Sequence, residues 1–275
     1  MNQRSVLITG CSGGIGRYAA RELKTRGYRV FATARKPVDV ENLVSEGLES
    51  VQLDVANSAS IQYAFETIMQ KTDGKLYALF NNAAFGIAGA VEDLSRDALH
   101  DIFEVNLFGT HELTRLVIPV MRQQGHGRII QNSSMLGFVA LKYRGAYNAT
   151  KFALEGLSDT LRMELEGTNI FVSLIEPGPI KSNFRRNAYA AYKRYIDKDS
   201  SVYRQIYEQM EARLQTEGPV VPFTLGPEAV LKKVIHALEC NHPGARYYVT
   251  FPTGLFGYLK RLLPDRVMDK ILAQI

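Results

Sequence analysis

The sequence predicts an α/β fold: a Rossmann-type, doubly wound, mostly parallel sheet of seven strands flanked by helices, with a substrate lid after the sixth strand. Short β-branched runs alternate with longer amphipathic segments, a pattern typical of right-handed βαβ crossovers. A glycine-rich turn joins the first run to the first amphipathic segment. The chain has 275 residues and no internal repeat or linker-like stretch, so a single domain over residues 1–275 is predicted.

The individual elements follow from the period of the apolar positions. Strands are predicted where β-branched and aromatic residues cluster between turn signals, at Val6–Thr9, Arg29–Thr33, Ser50–Asp54, Ala78–Phe80, Arg128–Asn132, Ile170–Ile175 and Tyr247–Thr250. Helices are predicted where apolar residues recur at helical spacing, at Ile15–Arg26, Ser60–Lys71, Arg96–Gln123, Ala146–Glu166 and Pro227–Leu238.

The alternation loosens after the sixth strand. Between Phe184 and Phe223, tyrosines, charges and prolines replace it, and we predict an insertion with one or two helices. Ligands of open α/β sheets bind beyond the carboxyl ends of the strands, so this aromatic insertion is interpreted as the substrate lid; a surface excursion without ligand contact is the alternative. Residues Gly254–Ile275 are predicted to pack over the cleft or a second subunit, with membrane-surface contact as the less favoured alternative.

Composition argues against several classes of function. The formal net charge is +5, but the basic residues are dispersed and no basic helix carries stacking aromatics, so no nucleic-acid partner is expected. The two cysteines, Cys11 and Cys240, have no paired spacing, which favours a reducing, cytoplasmic location without disulfides. The first strand begins too early for a signal peptide, and no apolar run is long enough to span a bilayer. No His and Cys spacing indicates a metal site.

Tyr147 and Lys151 carry most of the chemical information. They lie one helical turn apart on one face of a predicted helix. A phenol titrates near pH ~10, and a cation beside it favours the phenolate and lowers that pKa. Ser134, upstream of the pair, supplies a hydroxyl that can donate to a substrate oxygen. A Tyr and Lys pair alone is common on solvated helix faces, so the interpretation depends on the other motifs.

The glycine-rich turn indicates a dinucleotide site. Gly10 permits the tight turn, Gly14 lets backbone approach a pyrophosphate, and Gly16 lets the helix pack closely on the strand. The position at the end of the second strand where an NAD site places a carboxylate holds Ala34, which is followed by Arg35 and Lys36. A guanidinium pairs with a 2′-phosphate, so NADP(H) is predicted. Ser12 adds a further donor, and Asp39 comes too late unless the turn is shifted.

Taken together, Thr9–Gly16, Asn81–Ala84, Asn106, Ser134, Tyr147 with Lys151, and Pro177-Gly178 resemble the short-chain dehydrogenase/reductase family in order and spacing. The resemblance extends from residue 4 to about residue 183. The C-terminal third looks like bacterial NADP-dependent aldehyde reductases of this family, and the chain is more distantly similar to its 17β-hydroxysteroid and retinol dehydrogenase branch.

The resemblance implies four catalytic roles. Tyr147 would be the general acid in reduction and the base in oxidation, and Lys151 would hold the nicotinamide ribose and lower the tyrosine pKa. Ser134 would polarise the carbonyl, and Asn106 would keep a water-linked proton relay open within its helix. It also implies cofactor contacts at Gly10, Ser12, Gly14, Ile15, Gly16, Arg35, Asp54, Val55, Asn81, Ala83, Tyr147, Lys151, Pro177, Gly178, Ile180 and Ser182.

The leading hypothesis is an NADP(H)-dependent oxidoreductase that reduces hydrophobic aldehydes or ketones to alcohols, reversibly. A hydroxysteroid or retinol dehydrogenase is the sibling alternative, and a non-catalytic NADP-sensing module is the alternative from another class. A protein anchored to membranes through Gly254–Ile275 is a third. The family resemblance implies a homodimer or homotetramer formed through the helices at Arg96–Gln123 and Ala146–Glu166.

Overall fold

Residues 3–275, which the computed structural model describes, contain one seven-stranded sheet in which every strand pair is parallel. The strands are β1 Ser5–Ile8, β2 Arg29–Ala34, β3 Glu49–Gln52, β4 Ala78–Asn81, β5 Gly127–Asn132, β6 Ile170–Glu176 and β7 Arg246–Tyr248. Their order is β3-β2-β1-β4-β5-β6-β7. The order reverses between β1 and β4, which creates the switch point where such sheets bind ligands. The predicted fold class is confirmed.

The helices cover both faces of the sheet. They are α1 Gly14–Thr25, α2 Pro37–Ser45, α3 Ser58–Lys71, α4 Arg96–Phe103, α5 Gly109–Gln124, α6 Gly145–Glu164, α7 Phe184–Tyr195, α8 Arg204–Gln215, α9 Pro227–Glu239, α10 Phe251–Leu262 and α11 Asp265–Leu272. Within residues 3–275, no helix combines the length and the apolarity that crossing a lipid bilayer requires.

The central strands are buried on both faces, which explains their continuous apolar runs. In β1, Val6 and Ile8 belong to a core that includes residues of α1 and α9, whereas Leu7 belongs to the opposite core, which includes residues of α3 and α5. Successive side chains of a strand point to opposite faces, so a parallel strand between two helix layers must be apolar at every position. All three side chains are fully buried.

The sequence patterns did not predict helix α2. Pro37 begins this helix and only Leu43 is buried, so it has no apolar stripe of helical period to detect. Two strand predictions were also displaced: β3 was predicted two residues beyond its end at Gln52, and β7 was predicted to reach Thr250 but ends at Tyr248. The C-terminal segment begins earlier than predicted, with α10 starting at Phe251.

The helix predicted over Arg96–Gln123 is divided into α4 and α5 by a wider π-helical turn, Glu104–Phe108. The side chain of Asn106 within this turn bonds to the backbone of Phe85 on a neighbouring segment. Gly109 follows the turn, and a Cβ at that position would lie 1.6 Å from the carbonyl oxygen of Val55. Single π-turns inside α-helices are frequent at functional sites, which draws attention to Asn106.

The insertion after β6 is a packed pair of helices, α7 and α8. Tyr192 and Tyr207 are buried in a core of their own together with Tyr147. The hydroxyl of Tyr207 accepts from the backbone N–H of Ala90 at 2.9 Å and donates to the carboxylate of Asp93. The C-terminal helices α10 and α11 pack against the short turn Met135–Gly137, which directly follows Ser134. Both additions therefore surround the carboxyl ends of the strands.

Candidate active site

The predicted site residues meet at the carboxyl edge of the sheet. Gly10 follows β1, Arg35 follows β2, and Asp54 with Val55 follows β3. Asn81 ends β4 and Ala83 follows it; Ser134 follows β5; and Pro177, Gly178, Ile180 and Ser182 follow β6. Because carboxyl ends of parallel strands share one edge, residues far apart in sequence converge on one crevice at the switch point.

The glycine-rich loop has the geometry that its glycines were predicted to provide. Gly10 and Gly14 have φ of +71° and +55°, in the left-handed region that other residues rarely adopt. A Cβ on Gly10 would lie 2.8 Å from the Cα of Ala83, and one on Gly16 would lie 2.5 Å from the carbonyl oxygen of Gly10. Ser12 is exposed at the loop tip, and Gly14, Ile15 and Gly16 form the first turn of α1. The N–H groups of that turn are available to an anion.

Asn82 and Thr9 fix this loop, and the sequence reasoning did not single them out as site residues. Asn82 donates from Nδ2 to the carbonyls of Thr9 and Gly10, at 2.9 and 3.2 Å. The hydroxyl of Thr9 accepts from the backbone N–H groups of Asn82 and Ala83, both at 2.9 Å. The sequence signal that could have identified Asn82 is the pair of consecutive asparagines, Asn81 and Asn82, at the end of β4. The side chain of Asn82 bonds to the glycine-rich loop, whereas that of Asn81 bonds to Thr114.

Tyr147 is buried at the centre of the site. Its ring packs edge-on against Phe184 of α7, with 5.2 Å between centroids, and its hydroxyl lies near that of Ser134. Burial raises the pKa of Tyr147 above the ordinary value, and the nearby Ser134 hydroxyl opposes this rise. The direction is opposite to the expectation that Lys151 lowers this pKa, because burial dominates in the protein chain alone.

Lys151 connects the tyrosine to the glycine-rich loop. Its Nζ lies 5.6 Å from the ring centroid of Tyr147 and donates to the carbonyl of Asn132 at 2.7 Å. The side chain of Asn132 donates in turn to Asn82 at 3.0 Å. Burial lowers the pKa of Lys151 to about 8, while the negative charge of Glu155 opposes the decrease. Asn132 is a third residue that the sequence reasoning missed, after Asn82 and Thr9.

Asn106 is fully enclosed and hydrogen-bonded on both ends of its amide. Its Oδ1 accepts from the N–H of Phe85 at 3.0 Å, and its Nδ2 donates to the carbonyl of Phe85 at 2.9 Å and to Thr150 at 3.1 Å. Thr150 immediately precedes Lys151, so Asn106 fixes the π-turn to the helix that carries the tyrosine and the lysine.

The segment after β6 lies directly on the glycine-rich loop. A Cβ on Gly14 would lie 3.0 Å from the Cβ of Ser182, and one on Gly178 would lie 2.2 Å from the hydroxyl of Thr250. The carbonyl of Pro177 accepts from the N–H of Met135 at 2.8 Å. Ile180 pairs with Leu225 through the carbonyl of Pro179 and the N–H of Lys181, which leaves the backbone groups of Ile180 itself out of that pairing.

The other side of the crevice contains the remaining predicted contacts. Arg35 is exposed immediately after β2, whereas Asp39 lies in the first turn of α2 and does not occupy the end of the strand. Asp54 accepts from the N–H of Ala56 at 3.0 Å, and it does not cap α3, because Asn57 does. Val55 and Asn81 are buried, and the side-chain amide of Asn81 donates to Thr114 on α5.

The family follows from this geometry and from sequence comparison. The sequence model of the short chain dehydrogenase family matches residues 4–193. The chain belongs to the short chain dehydrogenase family. It is 45% identical over 270 residues to the uncharacterized oxidoreductase YbbO of Escherichia coli (strain K12), covering 98% of this chain and 94% of that protein.

Two further comparisons support this membership. The chain is 31% identical over 263 residues to human 17-beta-hydroxysteroid dehydrogenase type 1, covering 91% of this chain and 78% of that enzyme. The crystal structure of a short-chain dehydrogenase from Streptomyces avermitilis superposes with a TM-score of 0.80 at 26% identity, covering 98% of this chain and 96% of the other. This chain is thus an oxidoreductase of the short-chain dehydrogenase type.

The crevice of this short-chain dehydrogenase fits a dinucleotide. Its glycine loop brings backbone, not side chains, to the N-terminus of α1, where a Cβ on Gly14 would close the space beside Ser182. The buried Oδ1 atoms of Asn81 and Asn132 have no hydrogen-bond partner within residues 3–275. Buried polar groups are normally paired, so these atoms suit a bound group that supplies donors.

Proposed function

We propose that this protein is an NADP(H)-dependent reductase that converts hydrophobic aldehydes or ketones to alcohols, reversibly. The observation that carries the proposal is the proximity of the buried Tyr147 hydroxyl to Ser134, with the ammonium of Lys151 5.6 Å from the centroid of the tyrosine ring. This arrangement supplies a proton donor, a second hydroxyl for the carbonyl oxygen, and a positive charge near both. Bound NADPH would supply the hydride that reduces the carbonyl carbon.

The preference for NADP(H) rests on Arg35. Its exposed guanidinium follows β2, at the edge where a dinucleotide places the ribose of its adenosine. Asp39 is held inside α2, so no carboxylate from that helix replaces the arginine at the end of the strand. A guanidinium pairs with a 2′-phosphate through two charge-assisted hydrogen bonds, and this contact would favour the phosphorylated cofactor.

The raised pKa of Tyr147 suits the direction of reduction. A phenol buried under Phe184 keeps its proton at neutral pH and can transfer it to the oxygen as the hydride arrives. Ser134 donates to that same oxygen and polarises it before transfer. The positive charge of Lys151 stabilises the Tyr147 phenolate that remains after proton transfer. In the oxidation direction the phenolate takes the proton back.

Hydrophobic substrates are inferred from the aromatic lid. Phe184 begins α7 directly over Tyr147, and a Cβ on Gly86 would lie 2.8 Å from its ring, so the approach to the tyrosine is apolar. Tyr189, farther along the same helix, is partly buried against the core that contains Tyr147. A hydroxysteroid or retinol dehydrogenase is the second candidate, and the similarity to 17-beta-hydroxysteroid dehydrogenase type 1 favours it over other bulky substrates.

The proposal is tested by NADPH consumption with a panel of medium-chain aldehydes, ketones and steroids. We expect wild-type turnover with the aldehydes and a loss of at least ~100-fold in Tyr147→Phe, since the ring is retained and the proton donor is lost. Higher kcat/KM for steroids would support the second candidate. NADPH binding without any turnover would instead support an NADP-sensing module, and equal rates in the wild type and Tyr147→Phe would rule out the proposed chemistry.

We also propose that two copies associate through α5 and α6 and that the protein acts in the cytoplasm. Phe152, Leu157 and Met163 of α6 and Phe108 at the start of α5 are exposed apolar side chains. Exposed apolar side chains of this kind are typical of an association surface. Leu157→Glu should convert a dimer or tetramer to smaller species in light-scattering chromatography.

A further inference from the structure

A buried ionic cluster lies one helical turn beyond Lys151. Glu155 of α6 is 7% exposed and Glu176, the last residue of β6, is fully buried. Arg246 of β7 donates to Glu155 at 3.0 Å and to Asp159 at 2.6 Å, and its Nε lies 3.1 Å from Glu176. Ser133, the neighbour of Ser134, donates to the other oxygen of Glu155. The cluster therefore joins three strand ends to the helix of Tyr147.

The two glutamates in this cluster hold different charges. Burial raises the pKa of both, and the proximity of Glu155 raises that of Glu176 further. Glu155 has Ser133 and Arg246 as hydrogen-bond donors, whereas the oxygens of Glu176 have no well-aligned donor within residues 3–275 despite their closeness to Arg246. A proton on Glu176, shared with Glu155, satisfies this geometry. Glu155 is then the anion that faces Lys151.

We propose that Glu155 is a positioning residue for proton transfer: held by Ser133 and Arg246 on the same face of α6 as Lys151, its carboxylate keeps the lysine charged beside Tyr147. Residues i and i+4 of a helix are neighbours, and an ion pair at that spacing is favourable. Lys151 itself donates to Asn132 and makes no hydrogen bond to a carboxylate among residues 3–275. The nearby anion therefore acts on its charge state and not as a direct ligand.

The surroundings of Glu155 are shaped for this role. Gly137 lacks a side chain where a Cβ would lie 2.7 Å from the hydroxyl of Ser133 and 3.0 Å from the carboxylate of Glu155. On the outer side, Glu155 and Glu176 line a cavity of about 360 Å³ that also touches Phe138 and Phe152. The cavity is large enough for a small carboxylic acid, and this permits a direct test of the anion's role.

The inference rests on the proposed function, because it assigns Glu155 to the same Tyr147 and Lys151 pair. Burial alone lowers the pKa of Lys151, and Glu155 opposes the decrease. Without the anion, the pKa of Lys151 falls further and the lysine loses its proton at lower pH. The pH above which the reduction rate declines, which is the alkaline limb of the pH profile, should therefore fall as well. The other titratable groups that face the two residues are Tyr147, Asp159, Glu176, Arg246 and, across the cavity, Tyr248, Lys260 and Arg261.

The first measurement is the pH profile of NADPH-dependent reduction. In Glu155→Gln we expect the alkaline limb to move down by about one pH unit, so activity at pH 8 falls roughly five-fold while activity at pH 6 changes little. Glu155→Asp retains the charge and should keep the limb near that of the wild type. Asp159→Asn, which removes a carboxylate bound to the same arginine one turn further on, is the matched control and should not move it.

Chemical rescue separates charge from packing. Glu155→Ala should regain the wild-type limb in formate, which can enter the cavity, but not in formamide, which has the same size and no charge. Rescue by both compounds, or a uniform loss in Glu155→Gln at every pH, would overturn the inference and leave Glu155 a packing residue. Circular dichroism of each variant checks folding, and Ser133→Ala provides a milder second variant with a smaller shift in the same direction.

NADPH fluorescence gives a readout that needs no turnover. The chain contains no Trp, so the emission of bound NADPH can be titrated without indole interference. Because Lys151 would hold the nicotinamide ribose, its loss of charge should weaken NADPH binding at lower pH in Glu155→Gln than in the wild type. If wild-type protein binds NADPH but reduces no carbonyl, the proposed function fails while this shift still tests Glu155. An identical pH dependence of Kd in both proteins rejects the role of Glu155.

Discussion

The two flanks of the active site are built from different parts of the chain. On the nucleotide flank, the turn between β1 and α1 works through backbone: two glycines have positive φ, and a third allows contact with a carbonyl. On the flank of Lys151, the contacts are made by side chains in or next to four separate elements, namely Ser133 after β5, Glu155 of α6, Glu176 of β6 and Arg246 of β7. A backbone site is local in sequence, whereas a side-chain site exists only after the sheet has assembled.

The largest effect should come from breaking the backbone flank. In Gly16→Val the new side chain would begin 2.5 Å from the carbonyl oxygen of Gly10 and 2.6 Å from the amide of Asn82, and neither can move without displacing β1 or β4. Overpacking of this kind typically costs about 1–3 kcal/mol, and a loss of binding free energy at the upper end of that range lowers NADPH affinity by roughly 100-fold, which is the fall we expect. Fluorescence titration of NADPH measures this loss.

Gly254→Ala is the matched control for that change. Gly254 lies inside α10, and a Cβ there would meet no atom within 4 Å. Replacing an unconstrained helical glycine should raise the free energy of unfolding by roughly 0.5–1 kcal/mol and leave NADPH affinity unchanged. An unchanged NADPH affinity in Gly16→Val would mean that the loop tolerates a side chain, contrary to the geometry, and comparable losses in both variants would mean that the loss is not specific to the loop.

This contrast explains which parts were predictable from sequence. The glycine loop, Ser134, and Tyr147 with Lys151 have short spacings that tertiary structure does not alter, so the residues alone located them on the correct elements. Asn82 and Asn132 were missed because an amide side chain has many roles, and only the assembled sheet joins one to the glycine loop and the other to Lys151. The net rise of the Tyr147 pKa in the chain was not anticipated for the same reason, since burial is a property of the fold.

Arg35 lies at the exposed rim of the nucleotide flank and provides a third test of the comparison. Arg35→Asp should lower kcat/KM for NADPH by about 10- to 30-fold and raise it for NADH, because a charge-assisted contact to a 2′-phosphate contributes about 1.5–2 kcal/mol. Arg21→Asp makes the same change of charge on the exposed face of α1 and should leave the cofactor ratio unchanged. Steady-state kinetics with both cofactors measures it, and an unaltered NADPH to NADH ratio in Arg35→Asp would remove the basis for the NADP(H) preference.

Glu176 tests the side-chain flank with the smallest expected effect. Its pKa is raised in the folded protein above the ordinary carboxyl value near ~4.3, so the stability it contributes is complete below that value and is lost as pH rises toward the folded pKa. Glu176→Gln imitates the protonated acid and does not titrate. The variant should therefore match the wild type near pH 5 and gain about 2–4 °C in relative Tm by pH 8.5.

Thermal unfolding of both proteins across that pH range measures the difference. Asp159→Asn is the opposite control, because the pKa of this carboxyl is lowered by Arg246 and Arg162, and its loss should destabilise the protein at neutral pH and less at low pH. A constant difference in Tm between Glu176→Gln and the wild type would mean that Glu176 does not titrate over this range on folding. The proton assigned to the glutamate pair would then have to reside on Glu155, and the anion beside Lys151 would be lost with it.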